Sequence, residues 1–304
     1  MTTTVALVGC GNWGRHILRD LRTLGCEVPV VARSEASRGR AGEGGAAAIV
    51  AAVEDLPEID GAVVATPTVS HVEVVESLLP RGVPIFVEKP LGQDPGAVAG
   101  LVEAAPERVF VMDKWRYHPG VEALRDLAGS GELGEIQGIR TTRIGWGNPH
   151  DDTDGIWHLL PHDLVIGLEI LGGIGPALAA RAETAGRVPA GIVALFGERP
   201  WIVSEVSTRS HARRREVVVR GAAGVGVLAD GYAEHILVGL GAAEGDREPD
   251  LERRPIATEL PLLRELRAFV EHLDGGPPPR SSAAEGLTIV QAIAEARRLA
   301  GVPR

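Results

Sequence analysis

The stretch Thr4-Val5-Ala6-Leu7-Val8-Gly9-Cys10-Gly11-Asn12-Trp13-Gly14, with the residues that follow it, decides the fold. Residues 4–8 are apolar and largely β-branched, which predicts a short buried strand. Ile17, Leu18, Leu21 and Leu24 then recur at helical spacing, and Gly25 supplies a stop. Residues 28–32 (VPVVA) read as a second strand, with Pro29 tolerable near its start. A G-x-G-x-x-G turn set between strand and helix is the dinucleotide fingerprint. The first glycine makes the tight turn, the second admits a diphosphate, and the third lets helix pack on strand. The helix N-terminus presents unpaired N–H groups and a positive dipole end to that diphosphate.

The end of the second strand bears on NAD against NADP. An acidic residue there would bind the ribose 2′-hydroxyl. The chain instead has Ala32-Arg33-Ser34, with Arg38 and Arg40 close behind. A guanidinium and a hydroxyl hold a 2′-phosphate through charge-assisted hydrogen bonds, so NADP(H) is expected over NAD(H). Glu35, one residue further on, is the competing signal.

The alternation continues downstream. Residues 39–45 are glycine-rich and read as loop; 61–65, 83–87 and 109–112 read as strands, and 69–79 as a helix. Ligands in such folds lie at the carboxyl ends of the strands. That puts Gly9 to Gly14, Arg33, Thr66-Pro67 and Glu88-Lys89-Pro90 on one rim. The expected cofactor set is Gly9, Gly11, Asn12, Trp13, Gly14, Arg33, Ser34, Arg38, Thr66, Pro67, His71, Glu88 and Lys89.

Composition bounds the rest. The 304 residues suffice for two domains, and 44% hydrophobic with 24% charged residues excludes a disordered or fibrous chain. A net charge of −10 argues against nucleic acid as a partner. No apolar run reaches the ~18 residues of a membrane span, and the N-terminus lacks a signal-peptide pattern, so the expected address is the cytoplasm. Cys10 and Cys26 are expected to stand roughly 15 Å apart as reduced thiols. The only lysines are Lys89 and Lys114, against abundant arginine. A lysine kept in such a chain suits a place where an ammonium must fit a tight pocket or give up a proton.

The glycine turn, Ala65-Thr66-Pro67, Glu88-Lys89-Pro90 after a strand, and Arg116-Tyr117-His118-Pro119 together resemble the Gfo/Idh/MocA oxidoreductases. Further matches run through residues 131–136, 157–163, 221–226 and the closing helix after Ser281-Ser282. The resemblance implies a Rossmann domain over residues 1–117 and an α+β domain with an open, mostly antiparallel sheet over 118–280. It also implies a C-terminal helix over 281–304 packing back on the first domain. By the same resemblance the E-K-P lysine, Lys89, reaches the reacting alcohol or ketone beside the nicotinamide, with its Lys-Pro bond cis.

Residues 118–127 and 136–144 read as a helix and a strand, and 146–155 (WGNPHDDTDG) as a loop that is either a solvated turn or a lid over substrate. In 156–171, His158 and His162 are four apart and share a face if helical. Pro161 suits a first turn, so the helix is expected to begin near Leu160, with Asp163 in its first turn. The family pattern here is an aspartate followed four residues later by a histidine. His162 matches the histidine, whereas His158 replaces the aspartate. Zinc would need a third ligand from His150, Asp151 or Asp152, and no H-E-x-x-H is present, so no metal is expected. Residues 177–227 alternate as antiparallel strands, and Arg213-Arg214-Arg215 reads as a solvated hairpin turn rather than an anion site. Residues 259–273 and 287–300 read as helices.

The expected function is hydride transfer between a nicotinamide and a secondary alcohol or ketone of a sugar, nucleotide-sugar or cyclitol. Lys89 and His162 are the expected catalytic pair, and Arg116, Tyr117, His150, Trp157 and His158 the substrate-binding set. A homo-oligomer through the C-terminal sheet is expected. Two alternatives stay open: an imine reductase of a specialised pathway, and a non-catalytic NADP-binding sensor.

Overall fold

A computed structural model describes residues 2–148, 152–241 and 250–302. The chain divides into two compact units. The first runs to Lys114 and resumes over Leu260–Val290; the second holds Trp115–Glu259 and the residues from Gln291 onward.

The first unit alternates strand and helix: β1 (Val5–Val8), α1 (Gly14–Thr23), β2 (Pro29–Val31), α2 (Glu35–Glu43), β3 (Ala48–Val50), β4 (Gly61–Val64), α3 (His71–Leu78), β5 (Ile85–Glu88), α4 (Pro95–Ala104) and β6 (Val109–Met112). Its six strands are all parallel in the order β3-β2-β1-β4-β5-β6. The connection from β1 to β2 and the later one to β4 leave on opposite sides, which creates a crevice at their carboxyl ends. Strands β1, β4 and β6 are buried on both faces, as parallel strands under helices must be. Ile17, Leu18 and Leu21 of α1 pack against Val5, Leu7 and Val30. Cys10 and Cys26 are buried thiols, and burial pushes Cys26 up to about 11, so it is a core residue with little thiolate.

One expectation fails here, and one strand goes unread. The glycine-rich residues up to Glu43 are helix, because Ser34 caps α2 by accepting from the Ser37 N–H and Ala41 anchors it in the core. Strand β3 escapes the sequence pattern because it is a three-residue edge strand that pairs only with β2.

The second unit contains α5 (Pro119–Ser130), β7 (Ile136–Trp146), α6 (Gly155–Leu171), β8 (Ala177–Ala185), β9 (Val188–Phe196), β10 (Trp201–Ser207), β11 (Arg209–Gly221), β12 (Gly224–Leu228), β13 (His235–Leu240) and β14 (Glu252–Pro255). Its sheet runs β14-β13-β12-β11-β7-β10-β9-β8, antiparallel except for the β7–β10 pair. Helix α6 lies on β7, β9 and β10.

The arginines 213–215 sit inside β11, not in a hairpin turn. Strand β12 covers only Val217 to Arg220, so the earlier part of β11 is edge-like on that side, where charged side chains are tolerated.

Helix α7 (Pro261–Leu273) returns to the first unit, although the sequence assigned it to the second domain. Leu262, Leu266 and Phe269 enter the first core, and Phe269 stacks on Phe86 at 5.0 Å. Helix α8 (Ala283–Leu299) follows. Its first turn packs Gly286 against Val111 and Leu91, and Ser281 C=O accepts from the Val111 N–H at 2.9 Å.

Candidate active site

The glycine turn closes as its spacing requires. Gly9 has φ +96°, and a Cβ there would lie 2.7 Å from the Ala65 carbonyl oxygen. A Cβ on Gly14 would collide with the Gly9 carbonyl oxygen, whereas Gly11 faces open space. Helix α1 begins with no side-chain cap and no acidic residue in its first turn. The Arg15 and His16 N–H groups already donate to the Gly11 and Trp13 carbonyls, so the Gly14 N–H and the helix dipole are what an anion would meet. The Cys10 N–H donates to Ser37 Oγ at 3.2 Å, which ties the turn to α2.

At the end of β2, Arg33, Ser34 and Arg38 are exposed. Ser34 Oγ accepts from Ser37, which leaves its own hydroxyl proton to donate. After β4, Thr66 and Pro67 form the next rim segment, and Thr66 Oγ1 accepts from Ser70 Oγ at 3.0 Å. His71 is buried, with Nδ1 2.8 Å from the Pro90 carbonyl oxygen and Nε2 3.0 Å from that of Thr66. It ties two strand-end turns together and does not face outward.

Lys89 follows β5 and is half-buried, and its bond to Pro90 is cis. The neighbouring Glu88 accepts from Trp13 Nε1, joining the E-K-P turn to the glycine turn. On the far side of Trp13, the Lys114 ammonium lies 4.3 Å from the ring centroid. The sequence missed the companion of this cluster, Glu265 on α7. Its carboxyl is buried and Oε2 has no hydrogen-bond partner among the described residues. Burial first, and then the charge of Glu88, drives the Glu265 carboxyl well above the usual carboxylate range; Lys114 opposes this. Burial also raises Glu88, against Lys89 and the Trp13 hydrogen bond. The legible signal was a glutamate on the apolar stripe of Leu262, Leu266 and Phe269.

In the second unit, α6 carries His158 and His162 on one face. The helix begins at Gly155 rather than near Leu160, because Asp154 caps it by accepting from the N–H groups of Ile156 and Trp157 at 3.0 and 3.1 Å. Pro161 is thus inside the helix, where the Trp157 carbonyl forgoes its usual donor. Asp163, expected in the first turn, is in the helix body and buried, with Arg143 Nε donating to its Oδ1 at 2.7 Å. Arg297 donates to Asp154 Oδ2 at 2.7 Å and lies 5.6 Å from the buried Trp157 ring.

His162 is half-buried and meets the edge of the Trp115 ring at 6.4 Å. Trp115 stacks on His118 at 4.9 Å, and the Arg143 guanidinium lies 4.4 Å from its centroid. His118 itself is structural: Nδ1 accepts from the Gly120 N–H at 3.0 Å, and Nε2 donates to Gly231 C=O at 2.9 Å. Of the remaining expected substrate residues, Tyr117 is buried and Arg116 donates to Glu169 at 2.8 Å, beside Arg125 at 2.6 Å. His150, and Asp151 among the zinc candidates, lie outside the described residues. Among the described residues no three His, Cys, Asp or Glu side chains gather as a metal site, and no helix is long and apolar enough to cross a membrane.

Residues 3–112 match the model of the Gfo/Idh/MocA oxidoreductase family, NAD-binding Rossmann fold. The match lies within the first unit. A myo-inositol dehydrogenase of Streptomyces leeuwenhoekii is 35% identical over 144 residues, 45% of this chain and 44% of that protein. A protein named as a putative UDP-kanosamine synthase oxidoreductase subunit of Amycolatopsis mediterranei is 36% identical over 155 residues, 48% of this chain and 41% of its own. The chain thus matches less than half the length of either relative. In fold the likeness extends along the chain. Levoglucosan dehydrogenase, solved with NADH and levoglucosan, superposes with a TM-score of 0.87 at 15% identity, covering 100% of both chains. UDP-N-acetylglucosamine 3-dehydrogenase of Acidithiobacillus ferrooxidans gives 0.84 at 20% identity, covering 98% of each.

Proposed function

We propose that the protein is an NAD(P)-dependent dehydrogenase that moves a hydride between nicotinamide C4 and a secondary alcohol or ketone of a sugar, nucleotide-sugar or cyclitol. The observation that carries this is the rim of the first unit. An uncapped helix start behind an open glycine turn is linked through Trp13 and Glu88 to a lysine at the end of β5. The relatives named for inositol, levoglucosan and UDP-sugar substrates support the substrate class. In this mechanism the glycine turn and α1 bind the diphosphate, Thr66-Pro67 borders the cofactor, and Lys89 polarises the carbonyl oxygen or stabilises the alkoxide. His162 exchanges the proton, a task suited to an imidazole, whose two ring nitrogens can accept and donate one. Trp157 and His158 orient the substrate.

The preference for NADP(H) over NAD(H) rests on Arg33, with Ser34 and Arg38 beside it. A guanidinium at the end of β2 complements a 2′-phosphate where a carboxylate would repel it. The exposed Leu178 and Val193 face an open recess of about 530 Å³ lined also by Leu195, Val203 and Leu299. This supports self-association through the eight-stranded sheet, with sedimentation as its check.

The test is a panel of sugars, sugar nucleotides and cyclitols followed at the nicotinamide absorbance, with NADPH and NADH titrated by fluorescence. Turnover on at least one member and tighter NADPH binding are expected. Tighter NADH binding would overturn the cofactor preference, and a panel without turnover would overturn the reaction.

A further inference from the structure

The eight-stranded sheet holds a charge arrangement that folding alone does not explain. Arg143 on β7 and Arg215 on β11 are direct partners across an antiparallel pair, so their side chains leave the sheet on the same face. Like charges in that position repel, and both guanidinia are removed from bulk water: Arg143 is buried and Arg215 half-buried. One carboxylate serves the pair. Asp163 takes a 2.7 Å hydrogen bond from Arg143 and is itself buried.

The Arg215 side chain makes no hydrogen bond and no ion pair among the described residues, although a guanidinium has five donors to satisfy. Burial lowers its proton affinity, and Arg143 and Arg213 lower it further; Asp163 and Tyr232 only partly offset this. Two residues along the strand, Arg213 lies 5.8 Å from the ring of the exposed Tyr232. On the other side, Arg143 sits over Trp115, whose edge meets His162. A chain of net charge −10 would repel anions from most of its surface, so Arg143 and Arg215 sharing the one carboxylate of Asp163, with Arg213 beside Arg215, form a local positive focus.

We infer that Arg215, assisted by Arg213, binds an oxyanion group on the substrate, a carboxylate or a phosphate. The planar fork of Arg215 matches two oxygens of either group, and its missing acceptors are supplied when substrate arrives. The inference rests on the proposed reaction in one respect: it takes the substrate to be the molecule handled by His162. It narrows that substrate from sugars in general to those carrying an acidic group. The repulsion between Arg143 and Arg215 is then a stability cost accepted for binding, a known trade at ligand sites.

The test is calorimetric titration of the protein saturated with NADPH, a form that cannot oxidise an alcohol. The probes are D-glucose, D-glucuronate and D-glucose 6-phosphate, which differ in the presence and kind of oxyanion. At least one acid should bind tenfold or more tightly than glucose, and whichever acid does so identifies the group. In Arg215→Gln that ratio should fall to within twofold. In Arg215→Lys, which keeps the charge without the fork, it should be intermediate. Arg220→Gln, an exposed charge further along the same strand, should leave it unchanged. Arg215→Gln should also raise the melting temperature of the unliganded protein, which verifies that the variant is folded and that the repulsion was real.

Equal affinity for all three probes, no saturable binding of either acid, or an acid preference that survives Arg215→Gln would overturn the inference. Nicotinamide turnover is read separately. An acid preference without turnover on any sugar sinks the proposed reaction and leaves the anion site. Turnover on neutral sugars with no acid preference does the reverse.

Discussion

Lys89 and His162 differ in what their removal should change. Neither belongs to the glycine turn, so truncation should cost turnover and leave nucleotide affinity almost intact. For Lys89→Ala and His162→Ala a loss of about 10²–10⁴-fold in kcat is expected, the usual worth of a positioned acid–base group. Stopped-flow turnover alongside fluorescence titration separates the two effects; a variant with unchanged kcat has no part in the chemistry. Glu265 makes a different prediction. Its folded-state carboxyl is raised well above the ordinary value of 4.5 by burial and by Glu88. A raised group contributes stability that is fully present below its unfolded value and is lost as pH rises through the folded one. Glu265→Gln does not titrate, so the variant's melting temperature minus that of the wild type should grow from pH 4.5 towards pH 8. A difference that stays flat or shrinks over that range would contradict the raised carboxyl.

At the scale of elements, α6 shows how a cap outweighs a proline. Asp154 satisfies two N–H groups at the start and takes an ion pair from Arg297, and six residues follow before Pro161. Asp154→Ala should destabilise the protein by about 2–4 kcal/mol, combining a lost cap with a lost, largely buried ion pair. A shift in urea midpoint equivalent to less than ~0.5 kcal/mol would show that the cap is not what starts this helix. The same helix explains what the sequence concealed. A proline near a histidine pair reads as a helix start, because local pattern cannot show that an arginine 143 positions away holds an earlier one in place. Strand β1, the glycine turn and α1 were legible because strand period, turn and helix period agree within twenty residues. The arginines in β11 were not, since their place was decided by pairing with a strand distant in sequence, and the glycines in α2 hid a helix that a local cap at Ser34 starts.

Over the whole molecule, both layers of the architecture could be anticipated, but not the path of the chain between them. Phe269 is apolar in either domain; only the stacking on Phe86 assigns it to the first. A protein ended at residue 259 should therefore fail to fold its first unit, although it keeps all six strands and the whole glycine turn. Circular dichroism melting and NADPH fluorescence would check this: no cooperative transition and no nucleotide binding are expected. A truncated protein that still binds NADPH with native affinity would mean that α7 is dispensable to that core.

The split first unit also has a meaning for the timing of synthesis. A ribosome that has just released Lys114 must add 145 more residues before Leu260 emerges, a delay of roughly 7–30 s at ordinary elongation rates. During that interval the inner surfaces destined for Leu266 and Phe269 have no cover of their own. Nascent chains should be most vulnerable to chaperone capture or clumping at that point, and the exposure ends once Leu260–Val290 has been translated.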